Sequence, residues 1–135
     1  MGQEQWRIND SAFLACDGSV GYDLKKQSFG RAIFGGTGGF FVMETKGSGT
    51  MLLNAYGDLF EIVLDGSKPF IADNTHVVAW SNTLSYDLKI ASGTFGFTSG
   101  EGIVNEFRGV GRVILQSRNV QSLAEMVQPY IVTGK

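Results

Sequence analysis

The chain carries a single histidine, His76, three residues after Asp73 and five before Ser81. An acid, an imidazole and a hydroxyl are the parts of a nucleophilic triad, but such a triad needs the base within hydrogen-bond reach of both neighbours. Nothing in this spacing favours that geometry, and the expectation is a loop histidine bonded to Asp73 or to backbone. One imidazole beside one carboxylate also makes a poor metal shell, because metal sites on β-scaffolds gather two or three histidines. No catalytic residue, metal or cofactor is therefore assigned. Glu101 and Glu106 are too isolated to read as an acid–base pair, and are expected to pair with Arg108 or Arg112 at a surface. Cys16 follows Phe13, Leu14 and Ala15 and reads as a small core residue rather than a nucleophile. As the only cysteine it forms no intramolecular disulfide and suits a reducing compartment.

Two glycine-rich runs, at 35–39 and 99–102, invite a phosphate-loop reading. Neither is followed by Lys-Ser or Lys-Thr, and strand patterns rather than a helix come next, so no helix N-terminus is aimed at a phosphate. Aromatic residues Trp80, Tyr86, Phe95, Phe97 and Phe107 could stack on bases, with Arg108, Arg112 and Arg118 reaching phosphates. The net charge of -2 argues against a general electrostatic grip on a polyanion, so nucleic acid is the lesser candidate partner. His76, Trp80, Arg108 and Arg112 remain as candidate binding residues.

The elements that must position these residues are mostly strands. In Ser85-Tyr86-Asp87-Leu88-Lys89-Ile90 apolar and polar side chains alternate, which is a strand with one face on a core; Tyr22-Asp23-Leu24-Lys25 does the same. Phe40-Phe41-Val42-Met43 and Val113-Ile114-Leu115 are short apolar runs bounded by glycine and read as fully buried strands. Gly47-Ser48-Gly49 and Gly109-Val110-Gly111 are expected to be hairpin turns, with Gly47, Gly49, Gly109 and Gly111 supplying positive φ. Leu59 to Leu64 reads as a further strand, ended by the turn pair Asp65-Gly66. Ser122-Leu123-Ala124-Glu125 has the form of a capping box, and Leu123, Met126, Val127 and Tyr130 share a helical face, predicting a short C-terminal helix that ends near Pro129.

Several pieces occur twice and in the same order. Phe13-Leu14-Ala15 recurs as Phe70-Ile71-Ala72, Tyr22-Asp23-Leu24-Lys25 as Tyr86-Asp87-Leu88-Lys89, and Gly47-Ser48-Gly49 as Gly109-Val110-Gly111, at steps of 57, 64 and 62 residues. The expectation is an all-β chain of two tandem repeats, 13–64 and 70–126, stacked on a shared core in one compact body of 135 residues. Apolar residues at 43% and charged ones at 18% suit a folded domain. The start, Met1 to Trp6, has neither a basic nor an apolar signal region, and no apolar run approaches the ~20 residues that span a bilayer. Cytoplasmic residence is the expectation.

The run from Gly100 to Arg118, with Gly47 to Gly57 and Ile71 to Trp80, resembles the mitochondrial-biogenesis family named for altered inheritance of mitochondria. The resemblance covers about Trp6 to Pro129. It implies a fold similar to the tryptophan RNA-binding attenuator protein, built of short double-stranded β-helix or sandwich units, and no established enzymatic activity. Family members usually carry proline where this chain has Val110 and tryptophan where it has Ile114, and they typically hold three repeats against the two visible here. Strand edges left open by a missing unit would pair with a neighbour. The functional expectation is a non-enzymatic, self-associating scaffold with an unknown protein partner; the alternative is a module that binds RNA or a small ligand.

Overall fold

The computed structural model describes residues 4–9, 11–26, 41–91 and 102–131. The glycine-rich run at 35–39, all but Gly102 of the run at 99–102, and Phe40, Phe95, Phe97 and Glu101 lie outside the described residues. The fold is all-β with one short helix. The strands are β1 (Trp6–Ile8), β2 (Phe13–Cys16), β3 (Val20–Lys26), β4 (Phe41–Gly47), β5 (Met51–Leu53), β6 (Leu59–Asp65), β7 (Phe70–Asp73), β8 (Val77–Ser81), β9 (Ser85–Ala91), β10 (Gly102–Arg108) and β11 (Val110–Gln116), followed by helix α1 (Val120–Val127). They form a six-stranded sheet in the order β3-β4-β1-β8-β11-β6, a three-stranded sheet β7-β10-β9, and a pair β2-β5.

The pairing registers of β1–β5 and β7–β11 correspond. In β3–β4 Tyr22 lies opposite Thr45, and in β9–β10 Tyr86 lies opposite Phe107. In β1–β4 Arg7 lies opposite Glu44, and in β7–β10 Ile71 lies opposite Glu106. In β2–β5 Cys16 lies opposite Met51, and in β8–β11 Trp80 lies opposite Val113; both pairs carry an irregularity one or two residues further on. The strand that pairs as Phe70-Ile71-Ala72 does is thus Trp6-Arg7-Ile8, while Phe13-Leu14-Ala15 pairs as Val77-Val78-Ala79 does. Triplet similarity in the sequence misplaced this one strand, because apolar triplets are common and only the ladder fixes register.

The glycine turns do not close hairpins. β4 and β5 belong to different sheets, as do β10 and β11, so Gly47 (φ 88°) and Gly109 (φ 109°) are corners at which the chain leaves one sheet for another. Gly111 does not have positive φ. It lies inside β11, where a Cβ would stand 2.9 Å from Ser81 Cβ and 2.9 Å from Thr83 Oγ1, so close approach rather than turning requires glycine there.

Two apolar clusters separate the layers. Val42, Leu64, Ala72, Val77, Trp80, Leu84, Phe107 and Val113 form one, between the six-stranded sheet and β7-β10-β9. Ile8, Ala12, Met43, Val78 and Ala79 form the other, beneath β2-β5. Burial of a side chain the size of Phe107 contributes ~1.5–3 kcal/mol. The alternation in β9 holds: Tyr86 and Leu88 are half-buried, and Asp87 and Lys89 are exposed. The continuous apolar runs are less uniformly buried than expected, since Phe41 faces outward and Ile114 and Leu115 are only half-buried; the outer strand β6, apart from Ile62 and Leu64, also faces outward. Cys16 is half-buried on β2 rather than in a core. The helix is capped by Asn119, whose side chain accepts from Ser122 N at 2.7 Å, so the expected box at Ser122 is displaced by one turn. The 3₁₀ turn Gln128–Tyr130, containing Pro129, follows the helix.

Candidate functional site

The four candidate residues do not converge. Trp80, on β8, is 1% exposed and packs against Tyr86 and Phe107 at ring-centroid distances of 4.9 and 5.4 Å. It is a core residue, closed to a nucleobase. Its indole N–H and Asn105 Oδ1 line a narrow void and have no hydrogen-bond partner among the described residues.

His76 ends the 3₁₀ turn Asn74–His76. Its Nδ1 lies 2.8 Å from the Gln116 carbonyl, which can only accept, so Nδ1 carries the proton. Nε2 faces the Asn119 amide at 3.3 Å, and Asn119 also donates to Thr75 Oγ1 at 3.1 Å. Asp73 is turned away, with Oδ1 accepting from Thr75 N (2.8 Å) and Thr75 Oγ1 (2.7 Å). Ser81 Oγ donates to Glu4 Oε1 at 2.6 Å and accepts from Arg112 N at 2.9 Å. Asp73, His76 and Ser81 therefore form no triad: Ser81 serves its own set of bonds, and Asp73 is linked to His76 only through Thr75 Oγ1 and the Asn119 amide. The histidine braces the β7–β8 connection against the entry to α1.

Both arginines are paired with carboxylates. Arg112 binds both Glu4 oxygens and Glu61 Oε1 (2.9 Å), with its guanidinium 4.9 Å from the centre of the Trp6 ring. Its hydrogen bond holds the Glu4 carboxyl below the ordinary carboxylate range, and Glu4 and Glu61 in turn raise Arg112. Arg108 binds Glu106 on the outer face of the three-stranded sheet, and Lys89 binds the same carboxylate at 2.9 Å. Of the two partners expected for Glu106, Arg108 is found, while Arg112 goes to Glu4 and Glu61. Lys25 stands opposite Val42 and pairs with Glu44 at 3.0 Å, as Lys89 stands opposite Val104 and pairs with Glu106. The sequence signal for this matched pair was there to find: both glutamates precede a corner glycine by three residues, Glu44 before Gly47 and Glu106 before Gly109.

A cleft of about 350 Å³ opens beside β5, lined by Trp6, Val20, Thr45, Met51 and Leu53 and floored by Ile114. The corresponding positions among β7–β11 are Phe70, Leu84, Phe107, Val113 and Leu115, and there the space is filled by buried or packed side chains. The cleft lining is about evenly polar and apolar, with Glu4, Gln5, Thr45 and Ser48 contributing to it beside the apolar side chains. Thr45 Oγ1 accepts from Trp6 N (2.9 Å) and donates to Gln5 Oε1 (2.8 Å), so the polar atoms nearest its wall are already engaged. Among the described residues, no three His, Cys, Asp or Glu side chains are placed to share a metal ion.

A layered β-protein with paired surface charges and no converging reactive groups among its candidate residues is the class that this geometry defines. The family model for mitochondrial biogenesis AIM24 matches residues 1–118, and the chain belongs to that family. An uncharacterised protein of Streptococcus pyogenes serotype M6 is 46% identical over 135 residues, which is 99% of this chain and 54% of that protein. A crystal structure of a Streptococcus pyogenes protein superposes with a TM-score of 0.79 at 42% identity, covering 97% of this chain and 57% of the other. The chain spans little more than half the length of these relatives. Among the described residues no helix is long and apolar enough to cross a membrane.

Proposed function

We propose that the chain is a non-enzymatic β-scaffold that associates with itself and with a protein partner through exposed apolar strand and helix surfaces. The observation that carries this reading is where its large apolar side chains lie. Leu14, Leu24, Leu52 and Ile71 are each half or more exposed on strands, and Leu123, Met126 and Tyr130 are exposed on or beside α1. Displayed apolar area of this kind marks contact surfaces. The charged candidates point the same way, since Arg108 and Arg112 are occupied by Glu106, Glu4 and Glu61.

The cleft beside β5 favours a second reading, a small ligand held between the β1–β4 ladder and β5. RNA binding has less support, because Trp80 and Phe107 are buried and Arg108 and Arg112 are paired with carboxylates. The test is sedimentation of the purified chain, with RNA retention measured at low salt in parallel. Association without retention is expected. Salt-sensitive retention that weakens in Arg112→Ala would replace this reading with the nucleic-acid one.

A further inference from the structure

Inside the chain, the β1–β4–β3 ladder is joined to β8 by one strand-to-strand contact, in which Trp6 lies opposite Ser81, Arg7 opposite Trp80 and Ile8 opposite Ala79. By the shared registers, β7 stands where β1 does and β2 stands where β8 does. β7 is an edge strand, and among the described residues neither β7 nor β2 has a strand on the edge that β1 and β8 use for this contact. We propose that these two edges are the halves of the same joint, and that a second copy of the chain completes it. β7 of one molecule pairs antiparallel with β2 of the next, with Phe70 opposite Asp17, Ile71 opposite Cys16 and Ala72 opposite Ala15. The inference rests on the self-association proposed above and names its surface, partner and register.

Side-chain exposure follows the same correspondence. Leu14 is 63% exposed, and its counterpart Val78 is 2% exposed where β8 packs over β2-β5. Leu52 is 56% exposed, and its counterpart Ile114 packs against the same cluster. Val42 is buried beneath the three-stranded sheet, whereas its counterpart Val104, on that sheet's outer face, is only half-buried. Ile71 is 50% exposed, and its counterpart Arg7 is half-buried beside Tyr86. Leu14 and Leu52 thus lie on one open half, and Ile71 and Val104 on the other. These are positions that the internal joint covers when its partner strand is present. An edge strand flanked by apolar side chains is a template for pairing. The contact is head-to-tail, since the two surfaces differ.

Cys16 makes the register testable with one substitution. Residues directly opposite in a hydrogen-bonded antiparallel pair have Cα atoms about 5.5 Å apart, within the span of a disulfide. Ile71→Cys under mild copper–phenanthroline oxidation is expected to give a strong covalent dimer band with a ladder of larger head-to-tail multimers above it, all reversed by dithiothreitol. Adding Cys16→Ser should abolish the band, and Asp87→Cys, exposed on the opposite edge strand β9, should form none. Circular dichroism on each variant establishes that it is folded. A dimer band no stronger than that of Asp87→Cys, or one that survives Cys16→Ser, overturns the joint. If the unmodified chain sediments as an oligomer while trapping fails, self-association stands and this register falls; a monomer throughout removes both.

Discussion

Strands β1–β5 and β7–β11 follow the same ladder, yet one set encloses a cleft and the other a packed core. Around β7–β11 the interior holds Phe107, Leu84, Val113 and Trp80, each 1% exposed or less, and β6 lies along the outer edge of β11. Around β1–β5 the same positions hold Thr45, Val20, Met51 and Cys16, and no strand lies beyond β5 among the described residues. The difference teaches that backbone pairing alone keeps the register here, while side-chain volume decides whether a set is a foundation or a receptive surface. Stability is expected to come chiefly from β7–β11 and binding from β1–β5.

The sharpest way to break that comparison is to truncate matched positions. Phe107→Ala is expected to cost about 3–5 kcal/mol by urea denaturation. Its counterpart change, Thr45→Ala, should cost no more than ~2 kcal/mol, the scale of its hydrogen bonds to Trp6 and Gln5. Equal losses would mean that the two sets carry equal weight. Next comes Gly111→Ala, which forces a Cβ against Ser81 and Thr83. A loss of about 1–3 kcal/mol in the same assay is expected from overpacking.

Acid titration compares the two matched ion pairs. The Arg7 guanidinium, with Lys25 assisting, holds the Glu44 carboxyl below the ordinary carboxylate range; Lys89 and Arg108 do the same for Glu106. Folded protein binds these protons more weakly than unfolded chain does. The stability they contribute is therefore complete above the ordinary glutamate pKa of ~4.3, and is lost as pH falls through the lowered folded value. The melting temperature should hold from neutrality to about pH 5 and fall below ~4. Glu44→Gln should be less stable at neutrality and flatten that acid limb in part, leaving the share due to Glu106 and Glu4. The smallest effect sharpens the view of the cleft. Val20→Leu, which imitates Leu84, should add no more than ~0.8 kcal/mol while reducing fluorescence of an apolar dye bound beside β5. Dye binding unchanged by that substitution would place the receptive surface elsewhere.

Much of the architecture was legible in the residues. The alternation of Tyr86-Asp87-Leu88-Lys89 marked a half-buried strand, and its twin at Tyr22 marked another strand with the same partner register, although Tyr22 and Leu24 are exposed there and do not sit on a core. The helix face of Leu123, Met126, Val127 and Tyr130 was also legible, though its cap was not, because Asn119 and Ser122 are both good capping residues and the fold selected the first. The candidate site was less legible. His76, Trp80, Arg108 and Arg112 looked equivalent as ligands, and each was assigned by its neighbours: a carbonyl from Gln116, rings from Tyr86 and Phe107, and carboxylates from Glu106, Glu4 and Glu61.

By itself the sequence determined that the chain is all-β, where its long strands run, and that no reactive constellation is written into a local motif. Those properties depend on the side-chain alternation of a pleated strand and on residue identity, both of which are local. Only the tertiary structure decided that Trp6-Arg7-Ile8 answers to Phe70-Ile71-Ala72, that the glycine turns are corners between sheets, and that a cleft lies beside β5. Each depends on which distant strand supplies the hydrogen bonds and the packing volume, and a residue's own neighbours in the chain do not carry that information.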